Sequence, residues 1–164
     1  MKIYFAADHA GFKLKSELLN YVRGELGREV EDCGALTPDS SDDYPDIIAR
    51  AARKLAKDAA AGLDSRAIVI GASGQGEAMA ANRFKGVRCA LYYGAASKNQ
   101  TDIAGNELDI VTSTREHNNA NALSLGARFI AADEARAVVK SWLNTGFSDD
   151  VRHVRRTARL DEIS

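Results

Sequence analysis

The stretch Arg66-Ala67-Ile68-Val69-Ile70-Gly71-Ala72-Ser73-Gly74-Gln75-Gly76-Glu77 decides the fold. After Arg66, its residues Ala67 to Ile70 are an apolar run rich in β-branched side chains, the mark of a buried strand. The run passes directly into three glycines and a serine, and then into an alanine-rich helix. Strands linked by helices pair in parallel through right-handed crossovers.

Working outward, the same alternation recurs. Upstream, Lys2 to Ala7 is a short apolar strand ending in Asp8-His9-Ala10-Gly11, and Leu14, Leu18, Tyr21 and Val22 follow at helical spacing. Glu29 to Cys33 reads as a second strand. Ala35 to Asp43 is a polar loop containing Pro38. A helix follows around Pro45, with Ile47, Ile48, Ala51, Ala52, Leu55, Ala56 and Ala59 as its apolar stripe. Downstream, Val87 to Tyr92 and Ala122 to Leu125 complete five strands, and Ala135, Val138, Val139, Trp142 and Leu143 give a late amphipathic helix. The pattern predicts an α/β protein: a three-layer α/β/α Rossmann-like sandwich around a five-stranded parallel sheet, with residues 1–164 as one domain. Gly94 to Thr114 has no clear start signal, although Ile103, Leu108, Ile110 and Val111 predict some packing.

The bulk properties exclude several classes. The 164 residues are 45% hydrophobic and 27% charged with a formal net charge of -1, which carries no basic excess for nucleic acid or membrane surfaces. No apolar run approaches the roughly 20 residues that cross a bilayer. The apolar stretch at the start stops at Asp8, too short for a signal-peptide core, so the expected location is the cytoplasm. The two cysteines, Cys33 and Cys89, are far apart and read as reduced, buried thiols.

Ligands of open parallel sheets collect beyond the carboxyl ends of the strands. Asp8-His9-Ala10-Gly11 and the Gly71–Glu77 loop both lie at such ends. Glycines let backbone N–H groups approach a ligand closely, so Gly71, Gly74 and Gly76 with Ser73 can cradle a phosphate or hold a developing oxyanion. The loop lacks the Lys-Ser/Thr ending of a P-loop, and its Gly-x-x-Gly-x-Gly spacing is not the dinucleotide fingerprint. Glu77 stands one residue past the last glycine. A second polar cluster, His117-Asn118-Asn119, precedes the fifth strand, and Arg152, Arg155, Arg156 and Arg159 form a basic patch near the C-terminus whose forks match phosphate. Three dispersed histidines, with neither cysteine near them, argue against a metal centre.

In order, Asp8-His9-Ala10-Gly11 with Lys15, Asp43-Tyr44-Pro45, Gly71 through Glu77, Ala80-Ala81-Asn82, Arg115-Glu116-His117-Asn118-Asn119, Leu125-Gly126-Ala127-Arg128, and Arg152-His153 with Arg156 resemble the family of ribose-5-phosphate isomerase type B and galactose-6-phosphate isomerase. The resemblance implies a cofactor-free aldose–ketose isomerase of a small phosphorylated sugar, ribose 5-phosphate by default. It also implies a homodimer with sites at the subunit interface, or a tetramer built from it, in which residues 146–164 contact the partner. One branch of the family uses a cysteine where this chain has Gly71; the other uses a glutamate at the position of Glu77, and this chain resembles the second. By resemblance His117 opens the cyclic sugar, Asn118 and Asp8 bind hydroxyls, and Tyr44 lines the pocket. His9 and Arg128, with Arg152 and Arg156 of a second subunit, anchor the phosphate. Glu77 is then the base, and Ser73 with the N–H groups of Gly74 to Glu77 holds the enediolate oxygen. Between Tyr93 and Arg115 the chain is longer than the family pattern, which leaves a tetrose or hexose phosphate open as substrate. A non-catalytic sugar-phosphate sensor and a metal-dependent isomerase are the competing readings.

Overall fold

The computed structural model of the chain describes residues 1–98, 100–102 and 105–163. Its centre is a parallel sheet of β1 (Lys2–Ala7), β2 (Glu29–Asp32), β3 (Arg66–Gly71), β4 (Cys89–Tyr92) and β7 (Ala122–Gly126). In space the strands run β2-β1-β3-β7-β4. The registers Ala7 with Ile70 and Gly71 with Gly126 bring the carboxyl ends of β1, β3 and β7 to one edge. Two further strands, β5 (Gln100–Thr101) and β6 (Glu107–Leu108), pair antiparallel outside this sheet. Helices α1 (Phe12–Gly24), α2 (Tyr44–Ala60), α3 (Gln75–Ala81), α4 (Ile110–Glu116), α5 (Ala132–Asn144) and α6 (Val151–Leu160) complete the chain.

The period-two alternation of strand side chains explains the three layers. Ile3, Phe5, Ile68, Ile70, Leu123 and Leu125 point to one face, where Leu14, Leu18 and Val22 of α1 and Val139, Trp142 and Leu143 of α5 cover them. Tyr4, Ala6, Ala67, Val69 and Ala122 point to the other, under Ile47, Ile48, Ala51 and Leu55 of α2 and Ala81 of α3. β1 and β3 are covered on both faces, which is why they read as continuous apolar runs, whereas β2 at the sheet edge is polar and partly exposed.

Two expectations are corrected. The fourth strand begins at Cys89, not Val87. The Val87 N–H donates to the Phe84 carbonyl, and the Arg88 N–H to the Asn121 side chain, so both residues belong to the turn. The segment after Tyr93 forms the β5–β6 hairpin, tied by Asn106 to the Asp102 carboxylate, and then α4, whose start is capped by Asp109 accepting from the Thr112 N–H at 2.7 Å. Val111 is buried there, whereas Ile110 is exposed and Ile103 lies outside the described residues. The capping signal was masked by the β-branched run Ile110-Val111-Thr112, which favours a strand locally.

One ion pair, between a buried ammonium and a partly exposed carboxylate, joins the elements that carry the site. Lys15 of α1 is 1% exposed, and its ammonium donates to both carboxylate oxygens of Asp32 at 2.7 and 2.8 Å and to the Ala35 carbonyl at 2.6 Å. It thereby fixes the helix after the Asp8 turn against the start of the loop that leads to Tyr44. Lys15→Met is expected to leave three acceptor oxygens short of their donor and to cost roughly 2–3 kcal/mol, a melting temperature lower by roughly 5–10 °C. A thermal melt checks this; a shift under 2 °C would show the pair to be energetically neutral.

Candidate active site

The carboxyl edge between β1 and β3 is a topological switch point, since the chain leaves β1 for β2 on one side and β3 for the far half of the sheet on the other. Here the two loops cross. A Cβ on Gly11 would lie 2.5 Å from the Ile70 carbonyl oxygen, so only glycine allows the β1–α1 turn to rest on the end of β3. Asp8 anchors that turn from within: one of its oxygens accepts the N–H groups of Ala10 and Gly11 at 3.0 and 3.1 Å.

Gly74 starts α3 in the left-handed region (φ 76°), and a Cβ there would meet Leu91, the Leu125 backbone and Ser124. The buried Ser124 hydroxyl donates to the Gly74 carbonyl at 2.6 Å, fixing the loop to β7. The N–H groups that open α3 have no intrahelical acceptor, and the Ser73 hydroxyl stands beside them, accepting from the Gln75 N–H at 3.4 Å. Because α3 spans only two turns, its macrodipole adds little; the aimed N–H groups are what the loop offers.

Glu77 is 4% exposed, on the first turn of α3. Its carboxylate fills the volume a side chain at position 71 would take: a Cβ built on Gly71 falls 2.0 Å from it. Burial raises the Glu77 pKa above the ordinary carboxylate range, its own backbone N–H opposes that, and the neighbouring Asp8 adds to the rise. Two carboxylates in one cleft thus have different surroundings, one held by turn amides and one against bare backbone. The Tyr44 ring lies over Gly76, where a Cβ would come within 2.7 Å of it, which places Tyr44 beside the glycine loop. His9 and Arg128 lie at the outer side of the cleft, close enough that the guanidinium opposes protonation of the imidazole.

Asp8, His9 and Asp42 have ligand atoms within 4.8 Å of one another, the one such group among the described residues. Their lone pairs are already turned toward protons: Asp42 receives the His9 backbone N–H at 2.9 Å and faces His9 Nδ1 at 2.7 Å, and Asp8 receives two amides. The arrangement is that of a hydrogen-bonded dyad beside a turn.

The remaining predicted residues are elsewhere in the same chain. His117 and Asn118 precede β7, whereas the Glu77 cleft lies where β7 ends. Four residue steps of strand separate the two edges, roughly 13 Å. At the amino edge the His117 ring sits 4.6 Å from that of His153, which faces the Ser148 hydroxyl through Nδ1 at 2.9 Å. Burial, then His117, hold the His153 pKa below its usual value. Arg115 fixes this corner, donating to the carbonyls of Ala120 at 2.5 Å and Thr145 at 3.2 Å and to Asn119 at 3.0 Å. Arg152 and Arg156 stand exposed on α6. The predicted residues therefore fall into two clusters: Asp8, His9, Tyr44, Gly71, Ser73, Gly74, Gly76, Glu77 and Arg128 at the carboxyl edge, and His117, Asn118, Arg152 and Arg156 at the amino edge. A polar cluster written before a strand sits at its amino end.

Cys33 is buried and Cys89 half-buried, and burial pushes their thiols up to about 11 and about 12, so both stay protonated and unreactive at neutral pH. No helix among the described residues is long and apolar enough to cross a membrane.

A buried carboxylate against a glycine-lined oxyanion loop, at the switch point of a parallel sheet, defines a proton-transferring α/β enzyme. Residues 3–160 match the model of the Ribose/Galactose Isomerase family, and the chain belongs to that family. It is 38% identical to ribose-5-phosphate isomerase B of Mycobacterium tuberculosis, across 99% of this chain and 89% of that one. It is 32% identical to D-erythrulose-4-phosphate isomerase 2 of Mycolicibacterium smegmatis, across 90% and 86%. Among solved structures, the ribose-5-phosphate isomerase B of Mycoplasma genitalium with bound ribulose-5-phosphate superposes with a TM-score of 0.82 at 30% identity, covering 99% of this chain and 95% of that one.

Proposed function

We propose that the chain interconverts ribose 5-phosphate and ribulose 5-phosphate, with Glu77 as the base. The observation that carries this reading is the Glu77 carboxylate, buried against Gly71 beside the N–H groups of the glycine loop. In the open-chain aldose, Glu77 takes the proton from C2, and the electrons move onto the carbonyl oxygen at C1. The resulting enediolate is held by Ser73 and the loop amides, an interaction that strengthens as charge develops. The proton of the C2 hydroxyl passes to the C1 oxygen, and Glu77 returns its own proton to C1, which leaves a ketone at C2 and a hydroxyl at C1. Burial makes the carboxylate a stronger base than an exposed glutamate, whose pKa is about 4.3. His9 and Arg128 bind the phosphate at the mouth of the cleft. His117 opens the furanose ring, while Asn118 and Asp8 hold its hydroxyls.

His117, Asn118, Arg152 and Arg156 reach such a cleft from a second copy. A two-fold axis beside the edge strand β4 sets the amino edge of one chain against the carboxyl edge of the other. The flank of β4 supports this arrangement, because Met79, Tyr93 and Phe129 are 64%, 52% and 62% exposed there, the last two in edge-to-face contact. The segment 146–164, whose α6 exposes Val151 and Val154 beside its arginines, belongs to that contact. Residues 1–164 then act as one domain, and free thiols at Cys33 and Cys89 agree with a cytoplasmic location.

The test is an isomerisation assay on four-, five- and six-carbon sugar phosphates with a chelator present. Turnover of ribose 5-phosphate is expected, with an acid limb lying above the ordinary glutamate range, because activity appears only as pH rises through the raised Glu77 pKa. Preference for the tetrose would keep the chemistry and reassign the substrate. Binding without turnover across the panel would sink the enzymatic reading.

A further inference from the structure

The structure assigns Asp42 as a positioning residue for the phosphate end of the site: it holds the His9 ring with Nδ1 turned inward, so that the opposite edge, Nε2–H, faces the sugar phosphate beside Arg128. This rests on the reading of His9 as a phosphate ligand and adds a residue that neither motif nor charge pattern singled out.

Three observations carry it. Asp42 grips His9 twice, one carboxylate oxygen accepting its backbone N–H at 2.9 Å and the other facing its ring Nδ1 at 2.7 Å. That double contact fixes both the backbone at residue 9 and the rotation of the ring, which a single bond would not do. The carboxylate is largely sheltered while the ring is open on its far side, with side-chain exposures of 10% and 36%. The inner edge of the imidazole is thus spent within the protein and the outer edge is presented to solvent. Finally, the grip crosses between elements: His9 lies in the turn after β1, and Asp42 lies in the loop just before α2, whose first residue, Tyr44, lies over Gly76. A carboxylate behind a histidine fixes which ring nitrogen carries the outward proton, as it does for histidines that bind metals or shuttle protons.

The charges around the ring agree. Asp42 is the main cause that raises the His9 pKa, Asp8 on the same turn adds to it, and Arg128 on the loop after β7 opposes it. Asp39, in the loop with Asp42, also senses the imidazole charge. With Asp42 in place the imidazolium survives to higher pH, and a charged donor binds phosphate more strongly than a neutral one.

The experiment compares wild type with Asp42→Asn, Asp42→Ala and His9→Ala in steady-state kinetics on ribose 5-phosphate. Alongside, the ring nitrogens of the three histidines are titrated by NMR, His9 being identified by its loss in His9→Ala. Thermal melts identify any variant that fails to fold, and Asp42→Asn keeps the size and one acceptor of the native side chain. Asp42→Ala is expected to raise KM about tenfold, the effect of a weakened charge-assisted hydrogen bond, with a much smaller fall in kcat. In Asp42→Asn the His9 titration should move to lower pH, and the KM rise should grow as pH increases through that range. A His9→Ala variant with raised KM, together with Asp42 variants whose KM and His9 titration match wild type, overturns the proposal and leaves the phosphate reading of His9 standing. An unaltered KM in His9→Ala removes that reading and the role of Asp42 with it. A fall in kcat alone in the Asp42 variants would place Asp42 at the reacting carbons and overturn the proposal too.

Discussion

Gly71→Ala lowers kcat by about 10²–10⁴-fold, as much as Glu77→Gln does, while the protein folds and melts nearly as wild type. The reason is spatial. The new methyl group would stand 2.0 Å from the Glu77 carboxylate, and no pair of atoms tolerates that approach. What it meets is the end of a flexible side chain, so Glu77 swings aside at little cost to the fold. The backbone at Gly71 has no positive φ, and alanine is free to occupy it. Steric expulsion and chemical removal of the base should then be one defect. The double variant Gly71→Ala/Glu77→Gln is expected to be no slower than either single variant, the non-additivity of residues that act as a unit. Steady-state kinetics on the three proteins, with melts beside them, decide it. Gly71→Ala within tenfold of wild type would mean that Glu77 works from another rotamer and that its place against Gly71 is incidental. By the same geometry a cysteine side chain at position 71 and the carboxylate from position 77 would claim one volume. Gly71→Cys in a Glu77→Ala background should accordingly recover part of the activity, and more of it as pH rises toward the thiol pKa.

Much of this was legible in the sequence because burial writes itself as periodicity. Leu14, Leu18 and Val22, and Ala135, Val138, Val139, Trp142 and Leu143, are buried as their helical spacing predicts. Arg66 to Gly71 is buried throughout, as an unbroken apolar run requires. The half of the site built from loops at strand ends was equally readable, since the Gly71–Glu77 loop and Asp8-His9 each follow a strand directly. What failed to show was of two kinds. Asp42 lies in the acidic run Asp39-Ser40-Ser41-Asp42-Asp43, where no pattern marks one carboxylate as the partner of His9 and the others as solvated. Nor could chemical type alone give the edge at which His117 and Asn118 sit. Their order in the chain, before β7 and not after it, held that information, and strand direction converts it into position. The capping aspartate of α4 was hidden for a third reason: one Asp before a β-branched run fits a turn before a strand as well as a helix start.

The separation of the two clusters leads to the second large effect. Glu77→Gln and His117→Ala should each be nearly inactive alone, and a mixture of the two, dissociated and reassembled, should regain activity. In the proposed two-fold dimer each cleft would take its base from one chain and its ring-opening histidine from the other. A mixed dimer therefore carries one cleft with both defects and one with neither. With random reassembly half of the dimers are mixed, and the mixture should reach about a quarter of the wild-type rate. Mixing without dissociation should give nothing, which separates subunit exchange from a contaminant. The alternative geometry makes the opposite forecast. If His117 served the cleft of its own chain, each site in a mixed dimer would carry one defect, and no ratio of the two proteins would restore turnover. Arg152→Ala in place of His117→Ala tests the phosphate side of the same argument, and complementation there should appear as recovery of a low-KM component. For this chain the roughly 13 Å of strand between Glu77 and His117 makes the shared cleft the arrangement that lets one sugar phosphate touch both.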